Sequence, residues 1–175
     1  MIRWGLAGGS DIAATRMIPA MRALGQPICA VASSTLERAE AFAAAQGIPA
    51  AVADVRQLVA CEDVDAVYVS TVNRLHGEHT LLAAAAGKHV LCEKPVAMDL
   101  AEAWSMVSAC EAAGVMFGVN HHLPSHTTHT EIPGSLPAAP SAGPCRSGCS
   151  SPSNWPSDYG VGGSRIQTSA ERSSI

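Results

Sequence analysis

Aromatic residues are scarce in this 175-residue chain: Phe, Trp and Tyr together make up 4%. Any core must therefore be built mainly from Ala, Val, Leu and Ile. A basic block is also missing. With 11 Lys+Arg against 15 Asp+Glu the net charge is −4, so the chain offers no cationic surface for nucleic acid or an anionic membrane. No apolar run reaches the roughly 18–20 residues needed to span a bilayer. The first residues, Met1 to Leu6, lack the charged-then-apolar build of a signal peptide. Six cysteines (Cys29, Cys61, Cys92, Cys110, Cys145, Cys149) are scattered, and without a secretory signal they read as reduced thiols of a cytoplasmic protein. The seven histidines show no metal-ligand spacing, and His121 and His122, being adjacent, point apart on a strand. No metal is expected.

What is present divides at Leu123. Up to that residue the chain is Ala-rich with four prolines, and apolar and charged residues alternate regularly. From Pro124 to Ile175, 25 of 52 residues are Ser, Pro or Gly and five are Leu, Ile or Val. Such a segment buries too little apolar surface to offset its chain entropy. The expected organisation is a packed domain over 1–123 and a Ser/Pro/Gly-rich, disordered tail over 124–175. A translation frame change soon after about Thr130 is one origin for the break, and a natural tail is the other.

Within 1–123, short apolar runs alternate with helical stretches. Strands are expected at Ile2–Ala7, Pro27–Ser33, Ala51–Ala53, Ala66–Ser70, His89–Cys92 and Val115–Val119. Helices are expected at Asp11–Leu24, Thr35–Gln46, Asp54–Ala60, Leu75–Ala86 and Asp99–Ala113. Thr35 and Asp99 are N-cap residues, and Gly47, Gly87 and Gly114 stand where helices stop. The strands are continuously apolar, the pattern of a parallel sheet covered on both faces. The fold class is α/β, a doubly wound Rossmann-type sheet, and its ligands belong at the carboxyl ends of the strands.

The loops at those ends carry the chemistry. Gly8, Ser10 and Ala13 align with the fingerprint G-x-G-x-x-G/A, with Gly9 inside it. Gly8 permits the tight turn, Ala13 allows close helix packing, and a diphosphate would lie on free N–H groups at the helix start. Ser10 departs from the pattern, narrowing the approach but bringing a hydroxyl that can donate to phosphate. A glycine turn without a ligand is the alternative. After the second strand come Ser33 and Ser34, with Arg38 one turn into the helix. NAD sites usually carry a carboxylate here, about twenty residues past the glycines. Hydroxyls with a guanidinium suit a 2′-phosphate instead, which favours NADP over NAD. The competing reading has Thr35 as a simple cap and Arg38 paired with Glu37 or a neighbour. After the fourth strand come Ser70, Thr71, Asn73 and His76, and after the fifth Glu93 and Lys94. A lysine in a partly desolvated cleft can act as a proton donor or polarise a carbonyl, although Glu93 and Lys94 also suit a surface pair at a strand end.

These signals fall in a fixed order: Trp4-Gly5-Leu6, the Gly8/Ser10/Ala13 loop, then Val67-Tyr68-Val69-Ser70-Thr71-Val72-Asn73-Arg74-Leu75-His76. Ala86-Gly87-Lys88-His89-Val90-Leu91-Cys92-Glu93-Lys94-Pro95 follows, and finally Asn120-His121-His122-Leu123. The order resembles the Gfo/Idh/MocA family of NAD(P)-dependent sugar oxidoreductases, over about residues 2–123. The resemblance implies a Rossmann domain followed by a larger α/β domain with an open antiparallel sheet, which is also the family's usual assembly surface. It implies NADPH held by Gly8, Gly9, Ser10, Ile12, Ala13, Ser33, Ser34, Arg38, Ser70, Thr71, Asn73, His76, Glu93 and Lys94, and hydride transfer to a small keto-sugar with Lys94 as the catalytic group. Relatives complete that group with a later Asp and His. Neither has a counterpart here, since Asp158 lies in the wrong context and no His follows His129. An NAD-dependent sugar or inositol dehydrogenase and a non-catalytic dinucleotide-binding module stay open as alternatives.

Overall fold

In a computed structural model, which describes residues 1–121, strand and helix alternate throughout. The order is β1 (Trp4–Ala7), a π-helical stretch (Ala13–Met17) continuing as α1 (Ile18–Ala23), β2 (Ile28–Ala32), α2 (Leu36–Gln46) and β3 (Ala50–Val52). Then come α3 (Val55–Ala60), β4 (Ala66–Val69), a 3-10 turn (Asn73–Leu75), α4 (His76–Ala85), β5 (His89–Glu93), α5 (Leu100–Ala113) and β6 (Phe117–Asn120). The six strands form one parallel sheet in the order β3-β2-β1-β4-β5-β6. After β1 the chain winds outward through β2 and β3, then returns to place β4 on the other side of β1. Loops leaving β1 and β4 therefore diverge, and a crevice opens between their carboxyl ends. The tail expected over 124–175 lies outside the described residues.

Because successive strand residues face opposite sides, the apolar runs sort into two cores. Leu6, Val31 and Tyr68 join Ala13, Ile18, Met21 and Ala43 on one face. Ala7, Ala32, Val67, Val69, Val90 and Cys92 join Leu58, Ala83, Met106 and Cys110 on the other. Small residues at the helix–sheet contacts, among them fully buried Ala39 and Ala83, supply the core that the missing aromatics cannot.

Thr35 and Asp99 cap as expected, and Asp54, expected inside its helix, is a third cap. Thr35, Asp54 and Asp99 each accept from the amide three residues on, those of Arg38, Gln57 and Glu102. The strand boundaries differ at the edge. Val115 begins no strand because its N–H closes α5 on the Cys110 carbonyl, and the Met116 N–H bonds His89 Nδ1. Pairing in β6 starts only at Phe117.

At the amino end of the sheet, Arg3 fastens β1 to the connection before β4. Its guanidinium donates to Asp65 Oδ1 at 2.8 Å, Asp63 Oδ1 at 2.7 Å and the Glu62 carbonyl at 3.0 Å. Lys88 donates to the carbonyls of Val64 and Cys61 at 2.7 and 3.1 Å. These charges stand at the opposite end of the strands from the crevice. Among the described residues no helix is long and apolar enough to cross a membrane.

Candidate cofactor cleft

The turn after β1 is held by its neighbours on both sides. Gly8 donates to the Ala32 carbonyl at 2.9 Å, and Ser70 donates to the Ala7 carbonyl at 2.9 Å. Gly8 has φ +109°, and a Cβ there would sit 3.0 Å from the backbone carbonyl group of Ser70. A Cβ on Gly9 would sit 2.9 Å from the Phe42 ring on α2. Both glycines are thus required by close approach. Ala13 is fully buried in the Leu6–Ile18 core, filling the place of the fingerprint's small third residue.

Ser10 is also engaged within the protein. Its hydroxyl donates to Ser70 Oγ at 2.9 Å and accepts from the Ala13 amide at 3.2 Å, and Ser70 Oγ donates in turn to the Gly8 carbonyl at 3.3 Å. A hydroxyl has one proton, so Ser10 spends it on the neighbouring loop and serves as the N-cap of the helix. The amides before Ala13 at that helix start have no carbonyl a turn behind them and suit an anion.

Around this turn lies a cleft of about 590 Å³, within the size range of small-molecule sites. Gly8, Gly9, Ser10, Ser33, Ser34, Arg38, Ser70 and Thr71 line it, as do Ala32, Asp54, Val55, Val72, Leu75 and His79. The wall therefore carries hydroxyls, a guanidinium and an imidazole beside apolar surface for a base. Arg38 makes no salt bridge among the described residues. Glu37, its candidate partner, is engaged instead at the helix start, where its own amide and the Thr35 hydroxyl hold its carboxyl below the ordinary range.

Six of the residues expected at the site do not line this cleft. Ala13 lies beneath it, and Ile12 and Asn73 are exposed beside it. His76 is 1% exposed, with Nδ1 2.9 Å from the Pro95 carbonyl and Nε2 3.1 Å from that of Thr71. A neutral imidazole carries one N–H, so it donates to one of these carbonyls and lies against the other, between the loops after β4 and β5. Glu93 is buried, accepting on one oxygen from Tyr68 Oη at 2.6 Å and from Asn120 Nδ2, and on the other from the Lys94 amide at 3.3 Å. Burial and this carboxylate push the Tyr68 phenol far above its ordinary range. Lys94 is exposed at the carboxyl end of β5 and makes no side-chain hydrogen bond among the described residues, so the desolvated cleft expected around it is not formed by residues 1–121. Burial pushes the neighbouring Cys92 thiol up to about 12, which keeps it protonated and unreactive.

Sequence reasoning did not pick out His79, Asp54, Tyr68 or Asn120. Tyr68 carried a signal, as the one side-chain hydroxyl inside the apolar run from Ala66 to Val69. His79 carried none, because its place depends on how α4 meets the β4 loop.

The profile of an oxidoreductase family with an NAD-binding Rossmann fold, Gfo/Idh/MocA, matches residues 2–121. The 1,5-anhydro-D-fructose reductase of Ensifer adhaerens is 52% identical over 129 residues, covering 74% of this chain and 39% of that protein. The NADP(+)-dependent scyllo-inositol 2-dehydrogenase of Bacillus subtilis is 38% identical over 116 residues, covering 66% and 35%. A 3-ketoreductase from Actinomadura kijaniata, solved with NADP and TDP-benzene, superposes with a TM-score of 0.72 at 34% identity, covering 77% of this chain and 42% of that one. The chain spans about two fifths of the length of these relatives.

Proposed function

Because the chain belongs to the Gfo/Idh/MocA family of oxidoreductases, we propose that its cleft binds NADP(H) and serves the reduction of a keto-sugar such as 1,5-anhydro-D-fructose. The observation that carries this reading is Arg38, unpaired among the described residues and lining one cleft with Ser33, Ser34 and the Gly8 turn. Guanidinium and hydroxyls together match a 2′-phosphate, with a charge-assisted fork and small donors. The residues fit the group: the glycines let a diphosphate reach the backbone, and Val55, Val72 and Leu75 offer apolar wall to an adenine.

When bound, the nicotinamide supplies the hydride. The chain's own residues orient the cofactor and handle the proton. Lys94, at the end of β5, is the group proposed to polarise or protonate the substrate oxygen, being a cation free of any partner among the described residues. Its neighbour Glu93, locked by Tyr68 and Asn120, fixes the backbone from which Lys94 projects.

Asp54 favours a second reading. Its carboxylate also lines the cleft, and an acid near a ribose suits NAD. One of its oxygens already caps α3 through the Gln57 amide at 2.9 Å, which weakens that alternative. Titrating the full chain with NADPH and NADH, by fluorescence or calorimetry, decides between them. Loss of an exposed charge-assisted contact predicts about a tenfold weaker NADPH affinity in Arg38→Ala, with NADH unchanged. Equal NADPH affinity in wild type and variant would sink the 2′-phosphate role. NADPH consumption with 1,5-anhydro-D-fructose tests the reaction itself, and tight binding without consumption would support a dinucleotide-binding module.

A further inference from the structure

His79 stands on α4 at the wall of the cleft, in the second turn of a helix whose packing was not legible from sequence. The ring is partly buried, and its Nδ1 lies 3.0 Å from Thr71 Oγ1. Its Nε2 makes no hydrogen bond among the described residues and is not sealed from solvent. Thr71 lines the same cleft, and its carbonyl lies 3.1 Å from His76 Nε2. At this wall the Thr71 hydroxyl is a rotor that can turn toward the ring or toward the cleft.

That rotor has one proton, and its direction depends on His79. When the imidazole is neutral with a bare Nδ1, Thr71 donates to the ring and turns its proton away from any ligand. When both ring nitrogens are protonated, Nδ1–H donates to Thr71 Oγ1, and the hydroxyl proton is free for an acceptor in the cleft. Resting on the proposed NADP(H) binding, we propose that His79 is a proton-linked binding residue, taking up a proton as the anionic dinucleotide enters and so releasing the Thr71 hydroxyl to donate to it. The diphosphate, with one negative charge on each phosphate, favours the charged form of a ring beside it, and the cation adds its own attraction.

The surroundings set the direction. Burial lowers the imidazole below its ordinary value, Glu78 next to it opposes that, and His76 on the same helix reinforces it. Among the other charged groups on the packed elements, Arg74 precedes α4, Arg56 on α3 meets Glu78 at 4.0 Å, and Glu102 on α5 lies against Gly77. Across the cleft stand Arg38 and Asp54. The free protein therefore holds His79 neutral near neutral pH, and ligand charge raises its affinity for a proton. Binding is strengthened below the bound-state value and weakens as pH rises through it.

The test is calorimetric titration of the full chain with NADPH at about pH 6.5, near the unperturbed histidine value, in two buffers of different ionisation enthalpy. Wild type is compared with His79→Gln, which keeps an amide that can reach Thr71. A one-unit rise on binding corresponds to about tenfold in affinity across the window and about half a proton taken up at its centre. Protonation of the 2′-phosphate contributes equally to both proteins and cancels. Greater uptake in wild type supports the proposal, and equal uptake with binding intact overturns it while leaving NADP(H) binding in place. No binding of NADPH by wild type overturns both. Should His79→Gln not fold, His79→Asn gives the same comparison.

Discussion

Replacing Gly8 with Ala tests whether the first turn is as constrained as the geometry says. Two costs add. A side chain at φ +109° lies in a sparsely populated region, for about 1–3 kcal/mol. The new Cβ also sits 3.0 Å from the Ser70 carbonyl carbon and oxygen and 3.1 Å from Thr71 Cγ2. Ser70 cannot retreat, because its N–H is bonded to the Ala7 carbonyl at 2.9 Å, and overpacking of that kind costs about 1–3 kcal/mol. The sum, about 2–6 kcal/mol, is a large part of the 5–15 kcal/mol that holds a typical domain together. At a urea dependence of about 2 kcal/mol/M, even the lower bound moves the unfolding midpoint by about 1 M. Gly25→Ala is the control: it too has positive φ, +66°, but nothing within 4 Å of the added Cβ. It should lose only the strain of a left-handed residue, about 1–2 kcal/mol. NADPH affinity should fall in Gly8→Ala and stay level in Gly25→Ala. Equal midpoints and equal NADPH affinity for the two variants would refute the collision.

Three further outcomes are expected. Tyr68→Phe removes a hydrogen bond to a buried carboxylate and should cost about 1.5–3 kcal/mol in urea unfolding; a loss below about 0.5 kcal/mol would mean that Asn120 alone satisfies that oxygen of Glu93. Arg3 holds the Asp65 carboxyl far below its ordinary range, so its contribution is fully present above the unfolded value, about 3.9, and is lost as pH falls through the folded one. Thermal melts from pH 6 to pH 3 should decline less steeply in Asp65→Asn than in wild type, and parallel declines would contradict the pairing. Cys92, buried and raised to about 12, should resist a thiol reagent at pH 8 until urea unfolds the chain, whereas prompt reaction in the folded protein would show that the β5 core opens.

What could be read from the sequence was local. Gly8 follows its strand, Ser33, Ser34 and Arg38 follow theirs, and Thr35 and Asp99 cap helices whose first turns they precede. Those placements need only chain continuity and the parallel α/β pattern. The side-chain partnerships were not readable, because each crosses between strands or loops. Ser10 lies 60 residues from Ser70, Tyr68 lies 25 from Glu93, and Glu93 lies 27 from Asn120. Hydrogen-bond direction decided the rest. Ser10 and Glu93 bring chemistry that suits a ligand, and the fold also engages both with neighbouring elements. Strand ends shifted for a similar reason, as at Val115, whose N–H the preceding helix takes.

The pairing of His76 with the carbonyls of Thr71 and Pro95 has a mechanical meaning. Thr71 belongs to the loop that lines the cleft, and Pro95 follows the lysine proposed to meet the substrate. A neutral ring donates to one of these carbonyls and packs against the other, so the two loops share one buried side chain. A shift of the first loop would press on the buried ring, and through it on the second. The wall of the cleft and the backbone that carries Lys94 thus meet at one side chain.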